Sequence, residues 1–353
     1  MRSSLALCFA IVTSSAACAP APEGTALLQT NRYVNQMVAD GNSLFLVDEV
    51  IGDDDKAFAS IVRYDRSTHN STRLFTSTMG EAHPRKGLAV DGDFVYLLDY
   101  CRPYAATCSR LLRVPKTGGD ATVLAQDRIV DVAAAGGLVY YTTSDENGLH
   151  GDALDGALWL LDASGATGAT TLATGLGHLR DVVVTSAGLV TSEATGGLDA
   201  SRKTKLVLRD ATGAPIRTLV EGSGAGGARP GSLRLDGDYL YFAEFQDVRR
   251  VPLAGGAPEQ IVRVVFQIAD LAAADGKVVI AQAGRYDGTT DDSQGTYVHG
   301  AIHELVDGAL VPVARYQHEP TNPLIVGPEV YWLVSGSAER DEGWLFRTSL
   351  QSR

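Results

Sequence analysis

A pair of short apolar runs that recurs about every 50 residues constrains the fold of this chain more than any other feature. The clearest copy is GLAVDGDFVYLLD at 87–99, in which two runs flank an Asp-Gly turn. Seven copies align on their turns, at 40–41, 91–92, 135–136, 186–187, 236–237, 275–276 and 327–328. A regular repeat of this length is typical of architectures in which each unit packs only against its neighbours.

Each copy contains the pattern of four short β-strands. The paired runs are rich in Val, Leu, Tyr and Phe and alternate apolar with polar residues, as half-buried strands do. A third run follows, for example at 111–115, and then a glycine-containing turn such as 116–119 leads into a fourth run. After the N-terminal leader, no window shows the 3.6-residue apolar period and caps of a helix. The chain is therefore predicted to be all-β.

The two ends of the chain predict how the repeat closes. The seventh copy stops after its third run at 345–349, whereas ALLQT at 26–30 resembles the fourth runs of other copies. Pairing the N-terminal run with the last unit would close a ring without an exposed inner edge. We predict a seven-bladed β-propeller with four antiparallel strands per blade. Six blades is the alternative if the weak final copy is not a full blade.

The strand pairs at 94–99, 239–244 and 330–334 resemble those of YWTD, NHL and TolB-type β-propellers, in the form found in bacterial envelope lipoproteins. The resemblance covers nearly all of the chain after residue 25. No copy contains the full Tyr-Trp-Thr-Asp tetrapeptide, so the receptor role of that group is not implied. Such propellers include receptor modules, envelope scaffolds, lactonases and lyases, and the resemblance therefore implies a fold and not one function.

The N-terminal residues predict export from the cell. Residues 1–17 contain Arg2, an apolar run at 5–12 and small residues before Cys18, the pattern of a signal peptide. The run is far shorter than the ~20 residues of a membrane-spanning helix. The segment 15–18 resembles a bacterial lipobox, in which the Cys18 thiol is acylated, although Ser15 stands where leucine is usual. Cleavage after Ala17 to give a plain secreted or periplasmic protein is the alternative.

These features divide the chain into three parts. We assign 1–17 to the signal peptide, 18–25 to a lipidated cysteine with a short tether, and 26–353 to one propeller domain. The expected location is the bacterial outer membrane or the periplasm. Cys101 and Cys108 fall in a single loop, and in an oxidising envelope we expect them to form a disulfide. A redox pair would more typically have Cys-x-x-Cys spacing.

The charge of the chain restricts its partners. The net charge of −12 argues against nucleic acid and against electrostatic binding to anionic lipid. Membrane contact is expected only through the lipid anchor, and the expected partner of this monomer is an envelope protein, a peptide or a small molecule. The loops between the second and third strands hold 20 of the 42 acidic residues but seven Lys or Arg. We call the face that carries these loops the long-loop face, and we predict that its rim is acidic.

The candidate ligand-binding residues lie near the mouth of the central channel on this face. Four arginines stand six or seven residues before a turn, and three carboxylates stand eight residues after one: Arg85, Arg128, Arg180, Arg229, Asp48, Asp99 and Glu244. The arginines either bridge carboxylates and lock neighbouring blades together or capture an anionic group of a ligand. Tyr286 and Trp344, in or beside long loops, are further candidates for ligand contact.

Metal binding and nucleophilic catalysis have weaker signals. The acidic loops around Asp53 and Asp291 offer the oxygen ligands that calcium prefers, without EF-hand spacing. Calcium is therefore the one cofactor considered. His299 and His303 would stand roughly 13 Å apart along a strand, too far for one zinc ion. The chain lacks a Gly-x-Ser-x-Gly motif, and no catalytic residue is assigned.

These observations favour a binding or scaffold module that uses the long-loop face. The alternative is a divalent-metal-dependent propeller enzyme of the lactonase or lyase type, and a third possibility is a structural envelope component. An enzyme would need several unpaired carboxylates or histidines that converge within about 5 Å at the channel mouth.

Lipidation of Cys18 can be tested by mass spectrometry of the mature protein. We expect an N-terminal fragment that begins at an acylated Cys18, and we expect Cys18→Ala to move the protein from the membrane fraction to the soluble fraction. An unmodified Cys18 in the mature wild-type protein would contradict the lipoprotein prediction.

Overall fold

Seven four-stranded antiparallel sheets form the blades of a β-propeller. The computed structural model describes residues 22–31, 34, 36–51, 57–78, 87–99, 109–144, 154–196, 203–223, 231–244, 246–286, 297–334 and 342–351. Within these ranges every regular element is a strand, and none is a helix that could span a membrane.

Within each blade the strands follow chain order from the channel axis outward, except that β1 (Thr25–Asn31) belongs to the last blade. Blade 1 contains β2 (Gln36–Asp40), β3 (Ser43–Ile51), β4 (Ala57–Asp65) and β5 (Ser71–Thr76). Blade 2 contains β6 (Leu88–Asp91), β7 (Phe94–Asp99), β8 (Arg110–Pro115) and β9 (Thr122–Gln126). Blade 3 contains β10 (Ile129–Ala135), β11 (Leu138–Thr143), β12 (Gly156–Asp162) and β13 (Thr170–Leu176).

The second half of the ring follows the same order. Blade 4 contains β14 (His178–Thr185), β15 (Gly188–Thr195), β16 (Lys203–Arg209) and β17 (Pro215–Ser223). Blade 5 contains β18 (Gly231–Asp236), β19 (Tyr239–Glu244), β20 (Asp247–Pro252) and β21 (Glu259–Arg263). Blade 6 contains β22 (Ile268–Ala274), β23 (Lys277–Gln282), β26 (Gly300–Val306) and β27 (Ala309–Gln317), with the small ribbon β24 (Arg285–Tyr286) and β25 (Tyr297–Val298) between β23 and β26.

The last blade joins the two ends of the chain. Blade 7 contains β28 (Pro320–Val326), β29 (Glu329–Val334), β30 (Glu342–Ser349) and, as its outer strand, β1. Strand β1 pairs antiparallel with β30, so that Thr25 lies opposite Arg347 and Asn31 lies opposite Glu342. The predicted closure by an N-terminal strand is confirmed, and the count is seven blades, not six.

The segment just before β1 is also held in place. The Glu23 N–H donates to the Arg315 carbonyl over 3.0 Å, and the Gln317 side-chain amide donates to the Glu23 carbonyl over 2.8 Å. Both partners belong to β27, the outer strand of blade 6. The N-terminal segment therefore attaches to the outer wall of the ring as well as to blade 7.

The hydrophobic core is distributed between neighbouring blades. Phe45 and Ile61 of blade 1 pack in one cluster with Leu97 and Leu112 of blade 2. Between blades 6 and 7, the fully buried Trp332 stacks on Phe346 with ring centroids 5.6 Å apart. Each interface thus excludes water from its own apolar cluster, which explains how a chain of this length folds without one large core.

Polar side chains tie the blades together at repeated positions. Arginines on third strands and aspartates at inner turns bind backbone groups of the following blade: Arg63 to the Lys116 carbonyl at 3.2 Å, Arg113 to the Ala163 carbonyl at 2.5 Å, Asp91 to the Gly137 N–H at 2.6 Å and Asp236 to the Gly276 N–H at 2.8 Å. Several conspicuous charges of the repeat therefore have a structural use.

Gly24 offers a test of ring closure. An added Cβ there would lie 2.7 Å from the buried Trp332 ring, and the backbone has a φ of +106°. We expect Gly24→Ala to lower the free energy of unfolding by about 2–4 kcal/mol, through overpacking and backbone strain. The control is Gly41→Ala, which has a φ of +54° with nothing within 4 Å of the added Cβ, and which should cost only about 1 kcal/mol. Equal urea midpoints for the two variants would contradict this account.

Asp65 offers a pH-dependent test of the turn that follows β4. Its carboxylate accepts the Ser67 hydroxyl at 2.7 Å, the Thr68 N–H at 2.8 Å and the Ser67 N–H at 2.9 Å. These bonds lower the pKa of Asp65 to about 2 from 3.8. A carboxyl group whose pKa is lower in the folded than in the unfolded state stabilises the fold at pH values above its unfolded-state pKa. This stabilisation is lost as the pH falls through the folded-state pKa.

We therefore expect Asp65→Asn to be less stable than wild type near neutral pH and to converge with it between about pH 4 and pH 2. Urea unfolding at several pH values measures the difference. A stability gap that does not change over this range would show that ionised Asp65 makes no special contribution.

Candidate functional site

A cavity of about 550 Å³ lies on the propeller axis and is lined by the innermost strands of all seven blades. Its volume falls within the range of ~300–1,000 Å³ that is typical of small-molecule sites. The wall contains apolar side chains, including Met37, Val182 and Leu324, as well as charged and amide side chains. The channel is therefore a concave site with mixed chemistry.

Most polar side chains of the cavity, together with one glycine, occupy a repeated position of the innermost strands. Four residues before the end of each innermost strand stand Gln36, Gly87, Asp131, Asp181, Ser232, Asp270 and Asn322. We call these seven residues the polar ring, and all of them except Ser232 line the cavity. Because inner strands begin where second strands end, the polar ring lies at the end of the channel nearest the long-loop face. Its three aspartates come from blades 3, 4 and 6.

Backbone irregularities position these side chains. Asp131, Asp181 and Asp270 each follow one bulged residue that has no partner in the register of its strand pair. A bulge re-aims the side chains beside it, and in this ring the aspartates face the channel. At the same position in blades 5 and 7, Ser232 and Asn322 have φ values of 54° and 47°.

Hydrogen bonds link ring residues to adjacent blades. The Gln36 side-chain oxygen accepts the Gly87 N–H at 2.7 Å, and Asp131 accepts the Val182 N–H at 2.9 Å. Between blades 5 and 6, Arg234 Nη2 contacts both carboxylate oxygens of Asp270, at 3.1 and 3.2 Å. The ring thus contributes to blade contacts while it lines the cavity.

The three predicted mouth carboxylates are bound within their own blades. Asp99 and Glu244 end second strands, whereas Asp48 lies within β3, three residues before its end. Each forms an ion pair with an arginine: Asp48 with Arg73 at 4.0 Å, Asp99 with Arg110 at 2.5 Å and Glu244 with Arg249 at 2.8 Å. These arginines are not the four that the sequence singled out. The described ion pairs of these carboxylates therefore involve a second set of arginines, at other positions of the repeat.

Asp99 is the most deeply buried of the three carboxylates, with no exposed side-chain surface. Burial raises the pKa of Asp99, while hydrogen bonds from Arg110 and from the Ser77 hydroxyl at 2.7 Å oppose that rise. The Arg110 and Ser77 bonds offset part of the desolvation cost of the charge.

Glu193 is an equivalent carboxylate that the sequence analysis missed. It lies in β15 of blade 4, where its side chain is fully buried and binds Arg209 at 2.5 Å and Lys205 at 3.1 Å. The sequence placed the turn at 186–187, but β14 ends at Thr185, which pairs with Gly188. Counting eight residues from Thr185 gives Glu193, so a one-residue offset hid the match.

The structure describes two of the four predicted arginines, and they occupy different positions. Arg128 precedes β10, and its carbonyl accepts the Ser144 N–H at 3.1 Å. Arg180 is the bulged residue of β14. Burial lowers the pKa of Arg180 while the charge of Asp181 opposes this, and its Nε has no hydrogen-bond partner among the described residues. Arg85 and Arg229 lie outside the described residues.

Several other predicted residues also lie outside the described part of the chain. These are Cys18, Cys101, Cys108, the acidic loop around Asp53 and residue Asp291. For Tyr286 the structure gives the backbone, in β24. Trp344 lies in β30 and packs against the core between blades 6 and 7.

The described residues contain no group of three or more His, Cys, Asp or Glu side chains that could hold a metal ion. His299 faces Tyr316 edge-on with ring centroids 6.4 Å apart. His303 lies in β26, where burial and the nearby charge of Arg315 lower its pKa.

Comparison with known proteins identifies structural relatives only. No protein-family model matches the chain, and no curated protein matches its sequence. The β-propeller domain of the Trilobed protease from Pyrococcus furiosus superimposes with a TM-score of 0.56 and 12% identity, over 92% of this chain and 99% of that domain. Pyrococcus horikoshii acylaminoacyl peptidase gives a TM-score of 0.57 and 13% identity, over 91% of this chain and 52% of that protein.

At such low identity these similarities establish the fold alone. The P. furiosus domain is described as having an open velcro topology, whereas β1 and β30 close the ring of this chain.

A structural role for the mouth carboxylates can be measured by substitution. We expect Asp99→Ala to lower the free energy of unfolding by about 3–5 kcal/mol, because it leaves Arg110 without its buried partner. The matched control is Glu259→Ala, which breaks a 2.8 Å pair with Arg250 in which the glutamate is 59% exposed, and which should cost at most about 1 kcal/mol. Equal urea unfolding curves for the two variants would argue against the structural role.

Proposed function

We propose that the chain is an exported binding or scaffold module, tethered through an acylated Cys18, that recognises its ligand at the channel mouth on the long-loop face. The observation that carries this proposal is the axial cavity of about 550 Å³, to which every blade contributes. A site built on seven packed sheets is rigid before the ligand arrives. Rigidity reduces the ordering cost of binding.

The state of the mouth carboxylates supports recognition over catalysis. A metal-dependent lactonase or lyase would need carboxylates that are available to a metal ion or a proton. Asp48, Asp99 and Glu244 instead form ion pairs with arginines of their own blades. A carboxylate held in this way is poorly placed to act as a general base or metal ligand.

The position of the N-terminal segment is compatible with a tether. Glu23 binds Arg315 and Gln317 on the outer wall of blade 6, away from the axis. A lipid anchor at Cys18 would then attach to the perimeter of the ring. The channel mouth would remain accessible to an envelope protein, a peptide or a small molecule.

Arg180 is the described arginine best suited to contact a ligand. Its guanidinium is largely buried, and its Nε–H has no hydrogen-bond acceptor among the described residues. A partly desolvated guanidinium binds an acceptor more strongly than an exposed one does, because water competes less.

The proposal is tested by affinity capture from an envelope extract. We expect the wild-type protein to retain partners that a variant with Arg85, Arg128, Arg180 and Arg229 all changed to Ala loses, with little change in melting temperature. The control is Lys277→Ala, which removes a positive charge at the inner turn of blade 6, on the opposite face. Unchanged capture together with reduced stability of the quadruple variant would favour a purely structural role for these arginines.

A further inference from the structure

We infer that the link between blades 5 and 6 is a contact surface for a protein or peptide, and that Phe266 packs into an apolar part of that partner. This inference rests on the proposed function, because the link lies on the same long-loop face. It names the kind of partner and one side chain that holds it.

Two neighbouring apolar side chains of this link are exposed to water. Val265 is 78% exposed and Phe266 is 44% exposed, at a bend of the chain between β21 and β22. We call these two residues the apolar bend. The other large exposed apolar side chains in the described ranges are separated from one another along the chain, as at Val123 and Tyr239. Single exposed apolar residues are normal on a protein surface, whereas adjacent ones indicate a surface that another molecule covers.

The backbone of the apolar bend is held on both sides. Before it, the Val264 N–H donates to the Gln246 carbonyl over 2.8 Å, and the Gln246 side-chain amide donates to the Val265 carbonyl over 2.7 Å. After it, the Ala283 N–H donates to the Gln267 carbonyl over 3.0 Å. A surface that is ordered before a partner arrives loses less conformational entropy on binding.

The core between blades 5 and 6 does not contain the apolar bend. Val264 and Ile268, on either side of it, are 2% and 7% exposed and belong to the apolar cluster of this interface. Val265 and Phe266 are not members of that cluster. Packing between the blades therefore gives no reason for two large apolar side chains at the bend.

The charged side chains beside the apolar bend are paired. Arg263, two residues before Val265, binds Asp247 at 3.0 Å. Glu244, at the end of β19, binds Arg249 at 2.8 Å. An apolar centre next to a polar, solvent-accessible rim is the usual arrangement of protein–protein interfaces. The surface therefore fits a protein or a peptide.

A small molecule and a lipid bilayer fit this surface less well. Neither residue of the apolar bend lines the axial cavity, so a small molecule inside the cavity would leave the bend exposed. A bilayer with anionic lipids would repel a chain whose net charge is −12. The nearby cation Arg263 offers such a bilayer little attraction, because it already binds Asp247.

Phe266 is the expected anchor of the contact. Aromatic side chains bury large apolar areas, and a few buried anchors carry most of the binding free energy of an interface. Val265 would pack beside it. Loss of the phenyl ring should therefore weaken binding more than a change at any other exposed apolar residue of the described chain.

A phage-displayed library of random dodecapeptides supplies a probe for this surface. We expect peptides selected on the wild-type protein to carry apolar side chains, and to bind Phe266→Ser at least tenfold more weakly in calorimetric titration. The control is Ile216→Ser, which removes an exposed apolar side chain of β17 near the opposite face, and its affinity should match wild type. Equal affinity of the selected peptides for Phe266→Ser and wild type would overturn the inference.

A second variant protects this test against loss of the fold. Val265→Ser changes a side chain that is 78% exposed, so it should leave the melting temperature unchanged and still weaken peptide binding severalfold. It decides the outcome if Phe266→Ser proves less stable than wild type. Full peptide affinity in Val265→Ser would then contradict the contact.

Vesicles of phosphatidylethanolamine and phosphatidylglycerol test a membrane as the occupant. We expect protein with Cys18→Ala, which removes the predicted lipid anchor, to remain unbound in a flotation experiment. Vesicle binding that Phe266→Ser abolishes would assign the apolar bend to a membrane and overturn the inference.

The two proposals fail in different ways. Capture of an envelope partner that depends on the four arginines but not on Phe266 would contradict only this contact. Peptide binding that depends on Phe266, without any captured envelope partner, would leave the contact surface in place and contradict the scaffold role.

Discussion

The structure depends on the antiparallel pairing of β1 with β30, because that pairing completes the seventh blade from the two ends of the chain. A propeller blade buries its faces only against two neighbours, so an incomplete blade would weaken both of its interfaces. The apolar cluster around Trp332 lies at this closure, and Gly24 passes so close to the indole that no side chain fits there. Closure of the ring and packing of the apolar cluster around Trp332 therefore depend on each other.

The rigid ring then determines what its polar residues can do. Arginines of third and fourth strands bind carboxylates at or near the ends of second strands, whereas the innermost strands carry the polar ring. The carboxylates of the second strands form ion pairs within their own blades. The polar ring lines a cavity, and its aspartates face it because a bulge precedes each of them. The best polar candidates for recognition therefore lie on the axis.

The structural relatives fit this division between scaffold and site. Two propellers from peptidases share the fold at 12% and 13% identity, which is too low to carry a function from one chain to another. A shared fold does not by itself imply a shared function, because function resides in the residues of the site. The function of this chain must therefore be sought in its own charges, such as the pairing of Arg234 with Asp270.

The sequence by itself determined the all-β class, the four strands per blade, the count of seven and the closing role of residues 26–30. These follow from local alternation and a regular period, which the sequence displays directly. The site depended on tertiary structure. A single bulged residue shifts register and redirects side chains, so Asp131, Asp181 and Asp270 were not recognised as a set, and a one-residue offset at Thr185 concealed Glu193. The position of a bulge and the partner of each charged residue depend on which strands are adjacent in the folded protein. The order of residues along the chain does not contain this information.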